Sequence, residues 1–437
     1  SFFYPSRPDF QVLKNISFTA KKGETIALVG PSGSGKSTIA SMILRFYDIQ
    51  SGEIQIDSKN ANDYELTELR DNMAIVPQDV LLFGGSIKEN IAYGKPNATI
   101  AEIVEAARKA NALEFIENFP KQLTEAIAIG NNAKLTKCKN KISNVLICGL
   151  GGSGIGGSII SELVVTSANV PINVTKGYFI PAYVNENTLV IVSSYSGNTE
   201  ETINCMNLAI EKNATITCIT SGGKIQQIAN EKSFDCIVVP GGMPPRSCLG
   251  YSLTQLFFVL SFHNIINDKF KTELQAAVKL IEAEKSSIIS EAKTIAEKLK
   301  NKIPVIYATT YNEGIAIRFR QQLNENAKVL CWHHIIPEMN HNELVGWTQK
   351  NDNLAVLIFL DKDEYARNMA RVEINKEVIK KHANITEVYS KGNSAIEKAI
   401  YFIHLGDWIS VLLSELRGVD SMEVNVINHL KSKLANI

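Results

Sequence analysis

The chain has 437 residues, enough for roughly three domains of about 100–200 residues each. Lysine plus arginine balance aspartate plus glutamate at 45 each, which removes any global electrostatic reason to bind nucleic acid or an acidic membrane surface. No apolar run reaches the ~18 residues of a membrane span, and the opening SFFYPSRPDF lacks the basic and apolar regions of a secretory signal. That opening also lacks an initiator Met, which suggests a chain missing its true beginning.

Val12 to Phe18 and Thr25 to Val29 have the apolar pattern of β-strands. The glycine-rich run GPSGSGKST, Gly30 to Thr38, follows, and IASMILRFYD continues at helical spacing. This is the phosphate-binding pattern G-x-x-x-x-G-K-[ST]. Gly30, Gly33 and Gly35 let backbone N–H groups wrap a phosphate. Lys36 brings a point charge, and Ser37, beside Thr38, offers a hydroxyl to Mg²⁺.

Across residues 1–119 the segment resembles the nucleotide-binding domain of ATP-binding-cassette (ABC) exporters. FFYPSRPDFQVLKNISF is similar to that family's opening, SGEIQIDSKN to its β-turn region and IVPQDVLLFGGSIKENIAYG to its Q-loop stretch. The resemblance implies that Tyr4 stacks on adenine and that Gln78 contacts Mg²⁺ and water. An LSGGQ signature, an hhhhDE strand and a switch His do not follow in order. LAVLIFLDKDE, Leu354 to Glu364, mimics the hhhhDE pattern but lies far downstream and suits a strand of a later domain. Lacking the carboxylates that hold Mg²⁺ and polarise water, the segment is expected to hydrolyse ATP little or not at all.

EFIENFPKQL, from Glu114, fits both the end of an exporter helix and the start of a new domain, and no Gly/Ser/Pro-rich linker intervenes. Beyond it, ISNVLICGL, INVTKG, TLVIVSSYS, ATITCIT and CIVVP are strand-like with helices between. After a long helical run, Asp268 to Lys300, the theme repeats with VIYATT, KVLCWHHII, LAVLIFL and ITEVYS. Alternating β and α units imply α/β architecture with parallel sheets covered on both faces. The seven cysteines form no CxxC pair, and Cys148, Cys218, Cys236 and Cys331 sit in apolar, strand-like stretches. Buried thiols in a reducing cytoplasm are the expectation.

Ligands of such folds bind at strand carboxyl ends, beside helix N-termini. The first such end, GLGGSGIGG, contains a formal GxGxxG, but Lys176 stands where a dinucleotide site needs a ribose-binding acid. At the second, SSYSGNTEET, three hydroxyls (Ser194, Ser196 and Thr199) converge with free helical N–H groups on one anion-sized pocket, more than a plain helix cap requires.

SYSGNTEET with GGSG upstream resembles the sugar isomerase (SIS) domain. The ordered set GLGGSGIGG, SYSGNTEET, PPRSCLGYS, NENAK, PEMNHNE and VINHLKSKL is similar to the bifunctional phosphoglucose/phosphomannose isomerase family. The fold expected overall is therefore a truncated P-loop ABC ATP-binding core followed by two doubly wound SIS domains. The expected boundaries are 1–119 for the ATP-binding fragment, 120–270 for the first SIS domain, 271–301 for a helical connector and 302–437 for the second SIS domain.

The resemblance implies that Ser153, Ser194, Ser196 and Thr199 hold the substrate phosphate. Arg246 would stabilise negative charge on the reacting oxygens. Glu325 would move a proton between carbons 1 and 2, and His341 and Lys431 would assist ring opening. It further implies sugar 6-phosphate substrates, no cofactor for the isomerase, and a homodimer in which His341 comes from the neighbouring subunit. ATP with Mg²⁺ at Ser37 and Gln78 is expected only at the N-terminal fragment. Neither nucleic acid nor membrane insertion is expected.

The chemistry wants the same set: a carboxylate base α to a carbonyl, and a fixed cation for the enediolate oxyanion. Bland roles stay open for each residue. The lesser readings are Arg246 as a surface residue after a Pro-Pro turn, Glu325 as a solvated helix-end acid and His341 as a helix cap or core residue. His333 or His334 are possible replacements for His341. Lys433 competes with Lys431, and Glu338 and Glu343 are the next candidates for the base. Three rival functions remain: a non-catalytic SIS regulator, an exporter ATPase, and an amidotransferase-type glucosamine synthase. The last needs an N-terminal nucleophilic Cys domain that this sequence does not contain.

Overall fold

The computed structural model describes residues 1–434 except 6, 8, 31, 32, 76–86, 100, 101 and 103–113. Gln78 lies outside the described residues. The chain divides into two compact units, Ser1–Gly84 and Gly85–Ile437.

In the first unit a short antiparallel pair, β1 (Phe2–Phe3) and β2 (Gln11–Leu13), packs Phe2 and Leu13 on Met42 of the helix Lys36–Ile43. A hairpin joins β3 (Gln55–Ile56) to β4 (Lys59–Asn60). Its two turn residues, Asp57 and Ser58, have φ of 49° and 66°, the left-handed geometry that a two-residue hairpin demands. The strand expected at Thr25 to Val29 does not form, and only Val12 and Leu13 of the Val12 to Phe18 stretch lie in a strand. The physical reason is a lack of neighbours. A strand before a phosphate loop is held by ladders on both sides, and among the described residues of this unit none lies beside it. Val29 is accordingly 90% exposed.

The second unit contains two parallel sheets. The first has the order β6-β5-β7-β8-β9, built from β5 (Asn144–Cys148), β6 (Ile172–Thr175), β7 (Thr188–Ser193), β8 (Thr215–Thr220) and β9 (Asp235–Val238). The second runs β11-β10-β12-β13, from β10 (Ile303–Thr309), β11 (Trp332–Ile336), β12 (Leu354–Leu360) and β13 (Asn384–Tyr389). LAVLIFL, the hhhhDE mimic, is thus β12, paired on both sides. Every strand stretch read from the sequence of this unit is present.

Side chains alternate across a strand, so each sheet serves two cores. Val145, Ile147, Leu189 and Ile191 of the first sheet join Ile306, Ala308, Leu357 and Phe359 of the second in one continuous cluster. The intervening positions, Leu146, Val190 and Val192, and likewise Val305, Val356 and Ile358, face separate outer clusters.

The helical run expected from Asp268 to Lys300 is two helices, Lys269–Ala283 and Lys285–Leu299, parted at Glu284. Both pack on the long helix Ala395–Arg417. That helix begins with a reciprocal capping box between Ser394 and Glu397, a device that contributes ~1 kcal/mol. It ends at Gly418, whose φ of +66° closes the last turn. Although long and apolar enough to cross a membrane, its apolar window is 83% buried inside the protein. Ile116 and Phe119 also belong to the central core.

Candidate active site

The phosphate loops are shaped by backbone contacts that only glycine permits. A Cβ at Gly152 would lie 2.8 Å from the Pro245 carbonyl oxygen, so the helix Gly151–Leu163 starts directly against the PPRS turn. Gly197 has φ +67°, and a Cβ there would fall 1.8 Å from the Gly222 oxygen. The SYSGNT loop is thereby pressed onto the loop after β8.

Of the predicted hydroxyls, those of Ser194 and Thr199 meet directly, while Ser153 and Ser196 each bond a backbone N–H of the same loop. Ser153 Oγ accepts from the Tyr195 N–H at 3.1 Å, and Ser194 Oγ lies 3.0 Å from Thr199 Oγ1. Ser196 is exposed and accepts from the Asn198 N–H at 3.3 Å. Thr199 is the N-cap of the helix Glu200–Glu211, yet its side chain makes no cap bond. The first-turn N–H groups therefore lack a side-chain acceptor, the arrangement that suits a bound oxyanion. Glu200 and Glu201 occupy that turn, so favourable charge comes from backbone dipoles.

Arg246 lies in the turn Pro245–Ser247 and is only 6% exposed. Its Nε donates to Asn326 Oδ1 at 3.0 Å, and Nη2 donates to the Ser421 and Met422 carbonyls at 2.8 and 3.3 Å. Nη1 stands 3.7 Å from Glu325 Oε2. Glu325 ends the helix Glu313–Glu325 with its side chain 31% exposed, so a reactant can reach the carboxylate while the guanidinium stays fixed behind it.

His341 is placed elsewhere. It is exposed, at the end of the turn Glu338–His341 that follows β11. β10 and β11 are parallel, so the helix between them runs back antiparallel to both, over ~20 Å for its length. Glu325 and His341 of one chain thus lie at opposite ends of the second sheet. His333 is mostly buried and 3.9 Å from Glu313, and burial together with Arg320 lowers its pKa to about 4, leaving it neutral. His334 Nδ1 accepts from the Ile335 N–H at 2.8 Å. Lys431 and Lys433 are exposed on the C-terminal helix Asn425–Leu434. Among the described residues, no hydrogen bond or ion pair joins Lys431 to Arg246 or Glu325.

In the first unit Gly35, at φ +89°, is the N-cap of the helix Lys36–Ile43 and no side chain caps it, which fits a phosphate at its N–H groups. Lys36 Nζ donates to the Gly30 carbonyl at 2.8 Å. Ser37 lies in the first turn beside Thr38, whose Oγ1 is 3.0 Å from Tyr4 Oη. The Tyr4 ring meets Phe2 and Tyr47 edge-on at 5.0 and 5.2 Å.

The family model described as the bacterial phospho-glucose isomerase C-terminal SIS domain matches residues 288–434. The bifunctional phosphoglucose/phosphomannose isomerase of Caldicellulosiruptor bescii is 37% identical over 335 residues, covering 74% of this chain and 99% of that protein. The chain belongs to the bifunctional phosphoglucose/phosphomannose isomerase family. Its N-terminal part matches the ABC transporter family model over residues 13–148, which runs to the end of β5. There ABC transporter B family member 21 of Arabidopsis thaliana is 50% identical over 123 residues, 28% of this chain and 10% of the transporter. The chain therefore spans about a tenth of that relative's length. The solved C-terminal domain of glucosamine-fructose-6-phosphate aminotransferase from Francisella tularensis superposes with a TM-score of 0.58 at 15% identity, covering 71% of this chain and 96% of that one. This likeness is one of fold.

Sequence reasoning missed the support beneath Arg246. Arg318 Nη2 donates to the Arg246 carbonyl at 2.8 Å and to both carboxylate oxygens of Asp407 at 3.1 Å. Gln322 Nε2 donates to Asp407 Oδ1 at 2.7 Å, and Asn326 Nδ2 to Ser410 Oγ at 2.9 Å. Burial pushes the Asp407 carboxyl upward, while Arg318 and Gln322 oppose that shift. Removing either member of this buried pair costs roughly 3–5 kcal/mol because the other charge is stranded. Two signals were available: Arg318, Gln322 and Asn326 at i, i+4, i+8 on one helix face, and an aspartate inside the apolar run YFIHLGDWISVLL.

Proposed function

We propose that residues 120–437 interconvert glucose 6-phosphate and mannose 6-phosphate with fructose 6-phosphate in the cytoplasm, through a cis-enediolate. The observation that carries this reading is the buried Arg246 guanidinium held 3.7 Å from the partly exposed Glu325 carboxylate. Ser153, Ser194, Ser196 and Thr199, with the N-terminus of the helix Glu200–Glu211, take the phosphate. Glu325 removes the proton from carbon 2 of the open aldose and returns it to carbon 1, giving the ketose. Arg246 stabilises the oxyanion developed on the way, a role that a preorganised, desolvated cation fills at no reorganisation cost. His341 of the neighbouring subunit of a homodimer, with Lys431, assists ring opening. Both aldoses share one enediolate, so one base serves both epimers, and every step uses only this chain's own groups.

The N-terminal unit binds ATP through Gly30, Gly33, Gly35, Lys36, Ser37 and Thr38, with Tyr4 on adenine and Mg²⁺ at Ser37 and Gln78. It turns ATP over little, because the sequence supplies no hhhhDE carboxylates in order.

The isomerase reading is tested by Glu325→Gln, which keeps shape and hydrogen bonding but cannot accept the proton. Turnover of both sugar phosphates is expected to fall on the order of 10²–10⁴-fold with folding unchanged, and solvent exchange at carbon 2 to vanish with it. A variant within about threefold of the parent moves the base elsewhere.

A further inference from the structure

Beyond Glu325 the chain continues through buried Asn326 and Ala327 to Lys328, whose φ is +54°. A non-glycine residue adopts that left-handed geometry at a cost, so something must hold it there. The side chain supplies the hold by curling back: its Nζ donates to the Glu325 carbonyl at 2.5 Å and to the Glu423 carbonyl at 2.8 Å. The first bond satisfies a carbonyl that the helix end leaves without an intrahelical partner. The second reaches a different part of the molecule.

Arg246 binds the two preceding carbonyls, those of Ser421 and Met422. Three successive carbonyls, Ser421 to Glu423, are therefore gripped by two cations, one facing Glu325 across an ion-pair distance and one three residues after it. The helix Asn425–Leu434 follows directly, and none of its residues is buried. Its place is set by the segment that leads into it. Burial lowers the Lys328 pKa, with Arg246 adding to the effect and Glu423, Asp420 and Glu325 opposing it.

We propose that Lys328 is a positioning residue for the isomerase reaction, its ammonium tying the end of the helix that bears Glu325 to the Ser421–Glu423 segment that carries the C-terminal helix. This rests on the reading of Glu325 as the base. Lys328 does not touch the phosphate hydroxyls Ser153, Ser194 and Thr199, which belong to the other sheet. Its loss therefore misplaces the base and the C-terminal helix without loosening the anchored end of the substrate.

The test is steady-state kinetics of the full chain and its Lys328→Met and Lys328→Arg variants with both sugar phosphates. Methionine fills the space and donates nothing, so kcat is expected to fall about 10–100-fold, as for a misplacement near 1 Å, with KM within about threefold. Arginine keeps charge and donors in a different shape and restores part of kcat. A Lys328→Met enzyme that keeps the parent's kcat within about threefold, or loses efficiency through KM alone, overturns the proposal. So does failure of Lys328→Arg to recover any kcat. If Lys328→Met does not fold, Lys328→Gln is measured against the same limits. Glu325→Gln run in parallel separates the two claims. An unimpaired Glu325→Gln, or an inactive parent, sinks the isomerase reading; an impaired Glu325→Gln beside an unimpaired Lys328→Met sinks the tether alone.

Discussion

Glu162 offers a pH test of how the two SIS domains are joined. It sits in the last turn of the helix Gly151–Leu163, and both its carboxylate oxygens accept from the Gly314 N–H, at 2.9 and 3.0 Å. Gly314 opens the helix that ends in Glu325, and a Cβ there would come within 2.9 Å of Ile159, so the helices touch almost backbone to backbone. Burial lifts the Glu162 pKa from 4.5 to about 7, Glu313 adds to the rise, and the Gly314 N–H and Lys176 oppose it. The folded value exceeds the unfolded one, so the folded chain keeps a proton that the unfolded chain releases between these limits. The contribution of Glu162 to stability is therefore greatest below pH ~4.5 and falls as pH rises to about 7, after which its loss is complete. At ~1.4 kcal/mol per unit, the ceiling is about 3 kcal/mol, reduced by the side chain's partial exposure. Glu162→Gln keeps a carbonyl acceptor for Gly314 and cannot ionise. Thermal unfolding at constant salt should show the two proteins alike near pH 4, with the Gln variant more stable at pH 8 by about 1–3 kcal/mol, a shift of several degrees. A difference that does not change with pH would refute the reasoning. A parent more stable at pH 8 would do so more decisively, since ionised Glu162 would then be a net asset beside Lys176 and the helix N-terminus.

Two further outcomes are expected. Mixed His341→Ala and Glu325→Gln subunits regain activity through hybrid sites, because each supplies what the other lacks; proven subunit exchange with no recovered turnover disposes of the shared site. The full chain shows ATPase turnover no greater than its Lys36→Ala variant, and a clear excess over that variant shows the N-terminal unit to be catalytic.

Secondary structure was legible where sequence and neighbours agreed. β7 reads as a strand from TLVIVS alone because both its faces are covered, which makes the whole run apolar, and the residues that cover them are present. Thr25 to Val29 carries a comparable pattern and forms no ladder, because a pattern records which neighbours a strand needs and not whether the chain provides them. The Ser194 and Thr199 contact was legible because neighbouring residues of one loop make it. The Arg318–Asp407 pair was not, since it joins positions 89 apart in sequence and its purpose, holding Arg246, appears only when a third segment arrives. Lys328 lay inside the NENAK string throughout, yet both its partners are main-chain carbonyls, which no side-chain pattern reveals.

The position of the proposed base follows from how the sheets meet. In open α/β folds reactive groups gather at strand carboxyl ends, and a search on that rule alone would choose Glu338 or Glu343, which follow β11 as His341 does. Glu343 is already engaged: its Oε1 accepts from Tyr307 Oη at 2.6 Å and Trp332 Nε1 at 3.0 Å. Glu338 accepts from Asn342. Neither lies within ion-pair distance of a cation among the described residues. Glu325 comes instead from the amino end of the second sheet, and meets there the Arg246 turn that follows the last strand of the first. The carboxyl end of one sheet thus closes on the amino end of the other, and in the proposed reaction the first domain supplies the phosphate hydroxyls and Arg246 while the second supplies Glu325. His341 is left at the far end, apart from Glu325 of its own chain, which is why the proposed function takes it from a second subunit.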